Sequence, residues 1–298
     1  MYETAVRITY YDLDLTGRMK LSAILRMVHI AADVDANNLG IGFNTLTKMN
    51  MSFILQRFAL GITRMPKYDE VVTLRTWPDS VARGTFLRKG DMHDKNGKKL
   101  MEWTSLWILF DTAARKILKP SALPVTGPPI EVCQANSNHP PKRGDCDTNI
   151  AERFNWCRNK IAGMQNYTGE GGKNNEAPCA EGSSSIMPEK IVLPTPGETP
   201  FQLFSEYTHI VRHAEVDTNR HMNNSMYGDL IGNALFPSME AAESAGDWRE
   251  VQINYLAETR FGEEIKVSAY RENNQFIVVG DAGGKVSFAA KVLSCCKV

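Results

Sequence analysis

The sequence contains one pattern twice, and this internal repeat limits the folds available to the chain more than any other feature. With a shift of 203 residues, Asp12-Leu13-Asp14 aligns with Glu215-Val216-Asp217, and Met19 aligns with Met222. In each copy an extended segment runs into a turn, and apolar residues at helical spacing follow that turn. The repeat predicts two similarly folded units in one chain.

Each unit is predicted to contain a strand, a helix and four further strands. The helices are predicted over 21–35 and 227–235. The strands that follow them are predicted over 51–64, 69–78, 82–93 and 99–112 in the first half, and over 249–261, 263–271, 275–281 and 285–297 in the second. A helix on an antiparallel sheet is an α+β architecture. This order resembles the hotdog fold, in which a curled antiparallel sheet wraps a central helix, and two tandem copies would pair as an intrachain pseudo-dimer.

The repeat also sets the predicted domain boundaries. An N-terminal domain is expected over 1–125, a linker or insertion over 126–200, and a C-terminal domain over 201–298. Residues 166–185 are rich in Gly, Asn, Ser and Glu and have almost no large apolar side chain, which predicts a flexible surface segment.

Only the second copy of the turn carries a cluster of chemically useful side chains. An acid, an imidazole and three amides lie close together where extended chain gives way to a helix: Asp217, Asn219, His221, Asn223 and Asn224. At four of these positions the first copy has Thr16, Arg18, Lys20 and Leu21, and only Asp14 matches its counterpart. A turn before a helix can direct side chains and backbone N–H groups at one reacting atom. We therefore expect one active and one inactive half.

This motif, with Tyr227 after it and Tyr255-Leu256-Ala257-Glu258 further along, resembles the plant and bacterial acyl-acyl-carrier-protein thioesterases. The resemblance also covers much of the first half. It implies that Asp217, Asn219, His221 and Glu258 are catalytic, with Glu258 on the strand after the helix. The family often has Cys directly after the catalytic Glu, whereas this chain has Thr259. That difference disfavours a cysteine nucleophile.

Thioester hydrolysis gives each of these residues a plausible role. The leaving thiol has a pKa of roughly 8–9 and needs little help from an acid. The harder steps are activating water and stabilising the oxyanion. Glu258, oriented with Asn219, would be the general base, and His221, held by Asp217, would polarise the carbonyl or assist water activation. Backbone N–H groups near Asn223 and Asn224 would face the oxyanion. A covalent route with Glu258 as nucleophile stays open.

The resemblance implies that the substrate's acyl chain lies in the N-terminal half and that its carrier is acyl carrier protein. Met27, Ile54 and Leu106 serve as examples of expected pocket residues. The carrier protein is small and acidic, so a basic patch should face it. Four cations that lie close together on predicted strands are the candidates: Arg75, Arg83, Arg88 and Lys89.

Other functions are weighed against this one. An acyl-CoA thioesterase of the same fold shares the chemistry, and a non-catalytic acyl-binding hotdog protein would bind without turnover. A hotdog dehydratase would need a different His/acid signature on the helix. Lys plus Arg and Asp plus Glu both number 34, and no basic run is interleaved with aromatic residues, so nucleic-acid binding is not expected.

The remaining features predict a cytoplasmic protein without cofactor or metal. The N-terminus has no basic start followed by an apolar core, and no stretch is apolar enough for membrane insertion. The six cysteines lack Cys-x-x-Cys spacing, which disfavours a zinc site and is typical of reduced thiols. The sequence leaves a homodimer open.

Overall fold

The computed structural model describes residues 1–123, 186–195 and 199–295. The flexible segment predicted over 166–185, and most of the predicted linker, lie outside these residues.

Eleven strands of the described residues form one antiparallel sheet. In the first half they are β1 (Tyr2–Arg7), β2 (Met51–Ile62), β3 (Val71–Ala82), β4 (Thr85–His93), β5 (Lys99–Asp111) and β6 (Lys116–Leu118). In the second half they are β7 (Gln202–Ile210), β8 (Trp248–Tyr255), β9 (Glu264–Glu272), β10 (Gln275–Ala282) and β11 (Lys285–Ser294). Four helices accompany them: α1 (Leu21–Asn38), α2 (Phe43–Lys48), α3 (Tyr227–Leu235) and α4 (Met239–Ser244).

The two halves of the sheet have the same internal order. The first half runs β1-β3-β4-β5-β2 and the second, read from its own outer edge, runs β7-β9-β10-β11-β8. The inner strands β2 and β8 join the halves in antiparallel register from Arg57 opposite Asn254 to Gly61 opposite Glu250. The short strand β6 pairs only with β5. One continuous sheet therefore crosses the boundary between the halves.

The helices α1 and α3 cross at very close range on the inner side of this sheet. A Cβ atom added to Gly228 of α3 would lie 2.5 Å from the backbone nitrogen of Ser22 in α1. The Ser22 hydroxyl donates to Asp229, one residue further along α3. Buried side chains of both helices, such as Ile24 and Ile231, belong to a single hydrophobic core that takes residues from both halves. The absence of a side chain at Gly228 allows this approach.

The structure contains the predicted helices and strands, with three additions. The short segments α2, α4 and β6 were not predicted, and α1 extends to Asn38 rather than residue 35. The main correction concerns β8, which ends at Tyr255 instead of 261. The N–H groups of Leu256 and Ala257 both donate to the carbonyl of Ser287, so the chain leaves the ladder there. Glu258 consequently lies in a loop and not on a strand.

Among the described residues, Cys295 is a free thiol. None of the helices in the described ranges is both long and apolar enough to cross a bilayer.

Candidate active site

The polar turn of the second half is a closed loop fixed by its own backbone. A bridge between Val216 and Met222 closes it, and the N–H of Asp217 donates to the carbonyl of His221 at 3.0 Å. Arg220 has a φ of +66°, the left-handed conformation that few residues other than glycine adopt. The first half repeats this loop, with Gly17 at φ +79° in the equivalent position. The two halves therefore have the same loop backbone with different side chains, and the polar cluster is present in the loop of the second half.

Within this loop Asp217 orients its neighbours. Its Oδ1 accepts a hydrogen bond from the backbone N–H of Asn219 at 2.8 Å. The Nδ1 atom of His221 lies 3.8 Å from the same oxygen. That distance is too long for a hydrogen bond, so the two side chains are close neighbours in the loop without a direct bond. The side chains of Asp217 and His221 are each about one-quarter exposed, at 23% and 24%.

The loop after β8 brings Glu258 beside this turn. The N–H of Met222 donates to the carbonyl of Thr259 at 2.7 Å. His221 directly precedes Met222, and Glu258 directly precedes Thr259, so this hydrogen bond brings His221 and Glu258 close together. A second link joins the Tyr227 hydroxyl to Thr259 Oγ1 at 3.0 Å. The Glu258 side chain is 39% exposed. The structure therefore places all four predicted catalytic residues in one region, although they lie up to 41 positions apart in sequence.

Asn223 and Asn224 differ in what they offer. The Asn223 side chain accepts hydrogen bonds from the N–H and the hydroxyl of Ser225, at 2.9 and 2.8 Å, and so caps the 3-10 turn Asn224–Met226 that leads into α3. The backbone N–H groups of Asn223, Ser225 and Met226 all donate within the protein. Among the described residues, the N–H of Asn224 has no such acceptor. Within the segment Asn224–Met226 it is the backbone donor left without an acceptor, which suits it to bind an oxyanion.

Tyr227 belongs to the core beneath the site. Its ring is 3% exposed and packs edge-to-face on Tyr255 and Phe288. Burial raises the pKa of the Tyr227 hydroxyl. Thr259, which follows Glu258 directly, is fully buried and bonded to that hydroxyl. Its surroundings are those of a residue that stabilises the fold.

An apolar cavity of about 210 Å³ lies between α1 and the strands of the first half. One face of α1 forms a wall with His29, Ala32 and Ala36, and Asn219 of the second half also lines the cavity. The proposed catalytic turn of one half therefore borders a pocket built by the other.

None of the three residues chosen as examples of the pocket wall lines this cavity. Ile54 and Leu106 are each one position away from residues that do, namely Phe53 and Trp107. Strand side chains alternate between faces, so an error of one residue moves a side chain to the opposite face. Met27 packs against the main core instead. These three residues are therefore outside the wall of this cavity.

The four cations expected to face a carrier protein do not form a free basic patch. Arg88 is buried, with 9% of its surface exposed, and its Nη1 donates to Asp35 Oδ2 at 2.8 Å. Arg75 makes a two-pronged bond to Asp91, at 2.7 and 2.8 Å. Lys89 pairs with another carboxylate at 3.4 Å.

Arg83 is exposed at a turn. The prediction was wrong for Arg88, because a local sequence pattern does not show on which face of the sheet a strand residue lies.

Two cations that were not predicted lie beside Glu258. The Nη2 atoms of Arg115 and Arg260 are 3.9 and 3.8 Å from Glu258 Oε2. Arg115 comes from the first half and Arg260 from the second, and both side chains are mostly exposed, at 66% and 59%. Arg260 follows Glu258 closely in the sequence, but only the fold could reveal Arg115.

The first half uses its equivalent turn differently. Arg18, at the position of His221, donates to the carbonyls of Ala242 and Ala245 at 3.1 and 2.5 Å and lies 3.5 Å from Asp247. A cleft of about 510 Å³ lies there between α1 and α3. The turn of the first half therefore has an arginine bonded to backbone carbonyls at the position where the turn of the second half has the imidazole of His221.

Two family models match most of the chain, one in each half. The model of the acyl-ACP thioesterase N-terminal domain matches residues 1–121, and that of the acyl-ACP thioesterase C-terminal domain matches 200–284. No curated protein sequence is significantly similar to the chain.

Three solved structures share the fold over nearly the whole chain. An acyl-ACP thioesterase from Bacteroides thetaiotaomicron has a TM-score of 0.67 at 22% identity, covering 98% of this chain and 96% of that one. A putative oleoyl thioesterase from Lactobacillus plantarum has a TM-score of 0.65 at 20% identity, covering 99% and 97%. The 12:0-ACP thioesterase from Umbellularia californica has a TM-score of 0.66 at 15% identity, covering 98% and 96%. The shared architecture is a large antiparallel sheet with few helices.

Proposed function

Because the chain belongs to the acyl-ACP thioesterase family and is thereby a thioester hydrolase, we propose that it cleaves acyl-acyl-carrier protein to free fatty acid and holo carrier protein in fatty acid biosynthesis. One observation supports this most directly. Asn219, in the Asp-Asn-His turn beside Glu258, also lines an apolar cavity of the other half. A thioester at the turn would therefore have a place for its acyl chain.

The site residues divide the work of hydrolysis. Glu258, exposed at the surface of the site, deprotonates a water molecule that Asn219 helps to position. His221, oriented and electrostatically supported by Asp217, polarises the thioester carbonyl. The N–H of Asn224 donates to the oxyanion of the tetrahedral intermediate, since the neighbouring N–H groups are engaged elsewhere. Collapse of the intermediate expels the thiolate of the carrier's pantetheine arm.

The two halves correspond to two tandem hotdog domains that pair within the chain. The first extends over 1–125 and holds the acyl chain, and the second extends over 201–298 and carries the catalytic set. Three features support the pairing: the identical strand order of the halves, the β2–β8 junction and the close crossing of α1 and α3. The segment 126–200 would connect the domains.

The carrier would approach the face that holds Glu258. Arg115 and Arg260 lie near Glu258 on that face, and their side chains are 66% and 59% exposed. Arg75, Arg88 and Lys89 are paired with carboxylates and are much less exposed. Long-range attraction to an acidic protein depends on such exposed charges and weakens with salt.

Thiol release from a ladder of carrier-protein and CoA thioesters of increasing chain length tests the proposal. We expect higher kcat/KM with carrier-protein substrates and a KM for them that rises with ionic strength. Glu258→Gln and His221→Ala should each lower kcat by roughly 10²- to 10⁴-fold, the usual loss of a positioned base or donor. Equal thiol release by the wild type and both variants would contradict the assigned site, and a preference for CoA would contradict the assigned carrier.

A further inference from the structure

The cavity beside Asn219 is mostly apolar, yet four polar side chains of the first half form part of its wall. Asp33 is exposed. The other three are His29 of α1, Ser52 of β2 and Arg88 of β4. A plain hydrocarbon chain offers no partner to any of them. Their hydrogen-bonding state therefore bears on which acyl chains the cavity accepts.

Arg88 is the strongest of the three groups. Its Nη1 donates to Asp35 Oδ2 at 2.8 Å and to Thr76 Oγ1 at 3.3 Å, and Arg88 is only 9% exposed. A guanidinium has five N–H donors. The three on Nε and Nη2 have no acceptor among the residues that the structure describes. Neither atom is among the fully buried polar atoms that lack a partner, so both keep some exposed surface that a bound molecule can contact. A hydrogen bond from such a charged donor is stronger than one between neutral groups.

His29 and Ser52 are likewise incompletely bonded. The Nε2 atom of His29 is buried without a hydrogen-bond partner in the described residues, and its ring lies edge-on to Trp107 at 6.0 Å. The Ser52 hydroxyl has one long bond of 3.4 Å, to the carbonyl of Phe53. The wall therefore contains polar side chains from three different elements. The Nε2 atom of His29 has almost no exposed surface, so Arg88 and Ser52 are the groups that a bound molecule can reach.

We propose that this cavity selects acyl chains that carry a neutral oxygen substituent, a hydroxyl or an oxo group, which accepts a hydrogen bond from Arg88. The inference rests on the proposed function, since it assigns the substrate class of the same site. Asp35 pairs with Arg88 at 2.8 Å, and its other oxygen lies 3.7 Å from the N-terminal ammonium group. The carboxylate of Asp35 beside Arg88, and that of Asp33 in the cavity wall, disfavour a further carboxylate and so favour a neutral oxygen. A site built to bond a polar group discriminates strongly against the analogue that lacks it.

The test compares carrier-protein thioesters of equal chain length, either unsubstituted or bearing a hydroxyl or oxo group at successive positions. We expect kcat/KM to be about tenfold or more higher for at least one oxygenated chain, which corresponds to one hydrogen bond to a charged group. A wild-type enzyme that hydrolyses all chains equally, or the unsubstituted chain best, would overturn the inference and leave the proposed function intact.

Substitution of the ion pair identifies the donor. Arg88→Met together with Asp35→Leu removes both charges and leaves neither buried alone. The preference, measured as a ratio within one protein, should fall to about one-tenth of its wild-type value or less. Arg64→Met with Glu70→Leu is the matched control, since that two-pronged pair lies outside the cavity wall. A preference that survives in the Arg88 variant would overturn the role of Arg88.

Binding of the free acids separates this inference from the proposed function. If thiol is released from no substrate, the proposed function fails, but calorimetric titration of the wild type with hydroxylated and unsubstituted acids still decides the inference. Tighter binding of a hydroxylated acid supports it, and equal binding overturns it.

Discussion

At the position that holds His221 in the second half, the first half holds Arg18, and this exchange changes what the turn can do. Arg18 uses its guanidinium to bind two backbone carbonyls of the opposite half. Among the described residues, His221 has one long hydrogen bond, between Nδ1 and the carbonyl of Met222 at 3.4 Å, and it lies 3.8 Å from Asp217. Its Nε2 atom has no such contact in that part of the chain. This difference between the copies is visible in the sequence and is the basis for proposing that the second half is the catalytic one.

The buried imidazole of His29 makes a separate prediction about stability. Burial lowers its pKa from 6.5 to about 4, so the folded protein keeps it neutral while the unfolded chain binds a proton between these values. Stability should therefore fall as the pH drops from 6.5 towards 4, and His29 should account for about 2–3 kcal/mol of that loss.

Urea unfolding of the wild type and His29→Phe between pH 7 and 4 measures this contribution. The variant should lose less stability over that window than the wild type. Parallel curves for the two proteins would contradict a neutral buried His29.

At the scale of secondary structure, the crossing of α1 and α3 depends on one glycine. A Cβ at Gly228 would meet backbone atoms of Ser22 at 2.5 and 2.8 Å, and backbone cannot move aside cheaply. Gly228→Ala should therefore destabilise the fold by about 1–3 kcal/mol, as overpacking commonly does.

Gly232 supplies the matched control on the same helix. A Cβ there meets nothing within 4 Å, so Gly232→Ala should leave stability unchanged or raise it by up to about 1 kcal/mol through helix propensity. Chemical denaturation compares the two variants directly. A Gly228→Ala protein as stable as Gly232→Ala would show that the helices are not in tight contact.

The same scale shows where sequence reasoning stops. Alternation and turn residues located the strands, because each strand has one buried face. The end of β8, and with it the position of Glu258, could not be predicted in this way. It depends on hydrogen bonds from the chain after β8 to the carbonyl of Ser287, which lies on another strand. The residues of the cavity wall could be predicted only with the strand register. Ile54 and Leu106 each lie one residue away from a residue of this wall. The buried state of Arg88 depends on Asp35, which is 53 positions away.

At the scale of the whole molecule, the chain joins two similar halves, and the proposed mechanism gives them different tasks. A continuous sheet and a shared core hold the halves together. The second half presents the polar turn and Glu258, and the first provides the cavity and Arg115. The site is therefore assembled from both halves, and neither half alone would contain it.

This division of labour is tested most directly by equivalent substitutions in the two turns. Asp217 and Asp14 each accept a hydrogen bond from the N–H two residues ahead, at 2.8 Å in both cases. Asp14 also accepts from the Thr16 hydroxyl and the Arg18 N–H, so Asp14→Ala disturbs its turn at least as much as Asp217→Ala does. A larger loss of kcat in Asp217→Ala on an acyl-carrier-protein substrate therefore separates catalysis from scaffolding. We predict a loss of roughly 10²-fold or more for Asp217→Ala, with kcat for Asp14→Ala within a few-fold of wild type. Equal losses in the two variants would contradict the account.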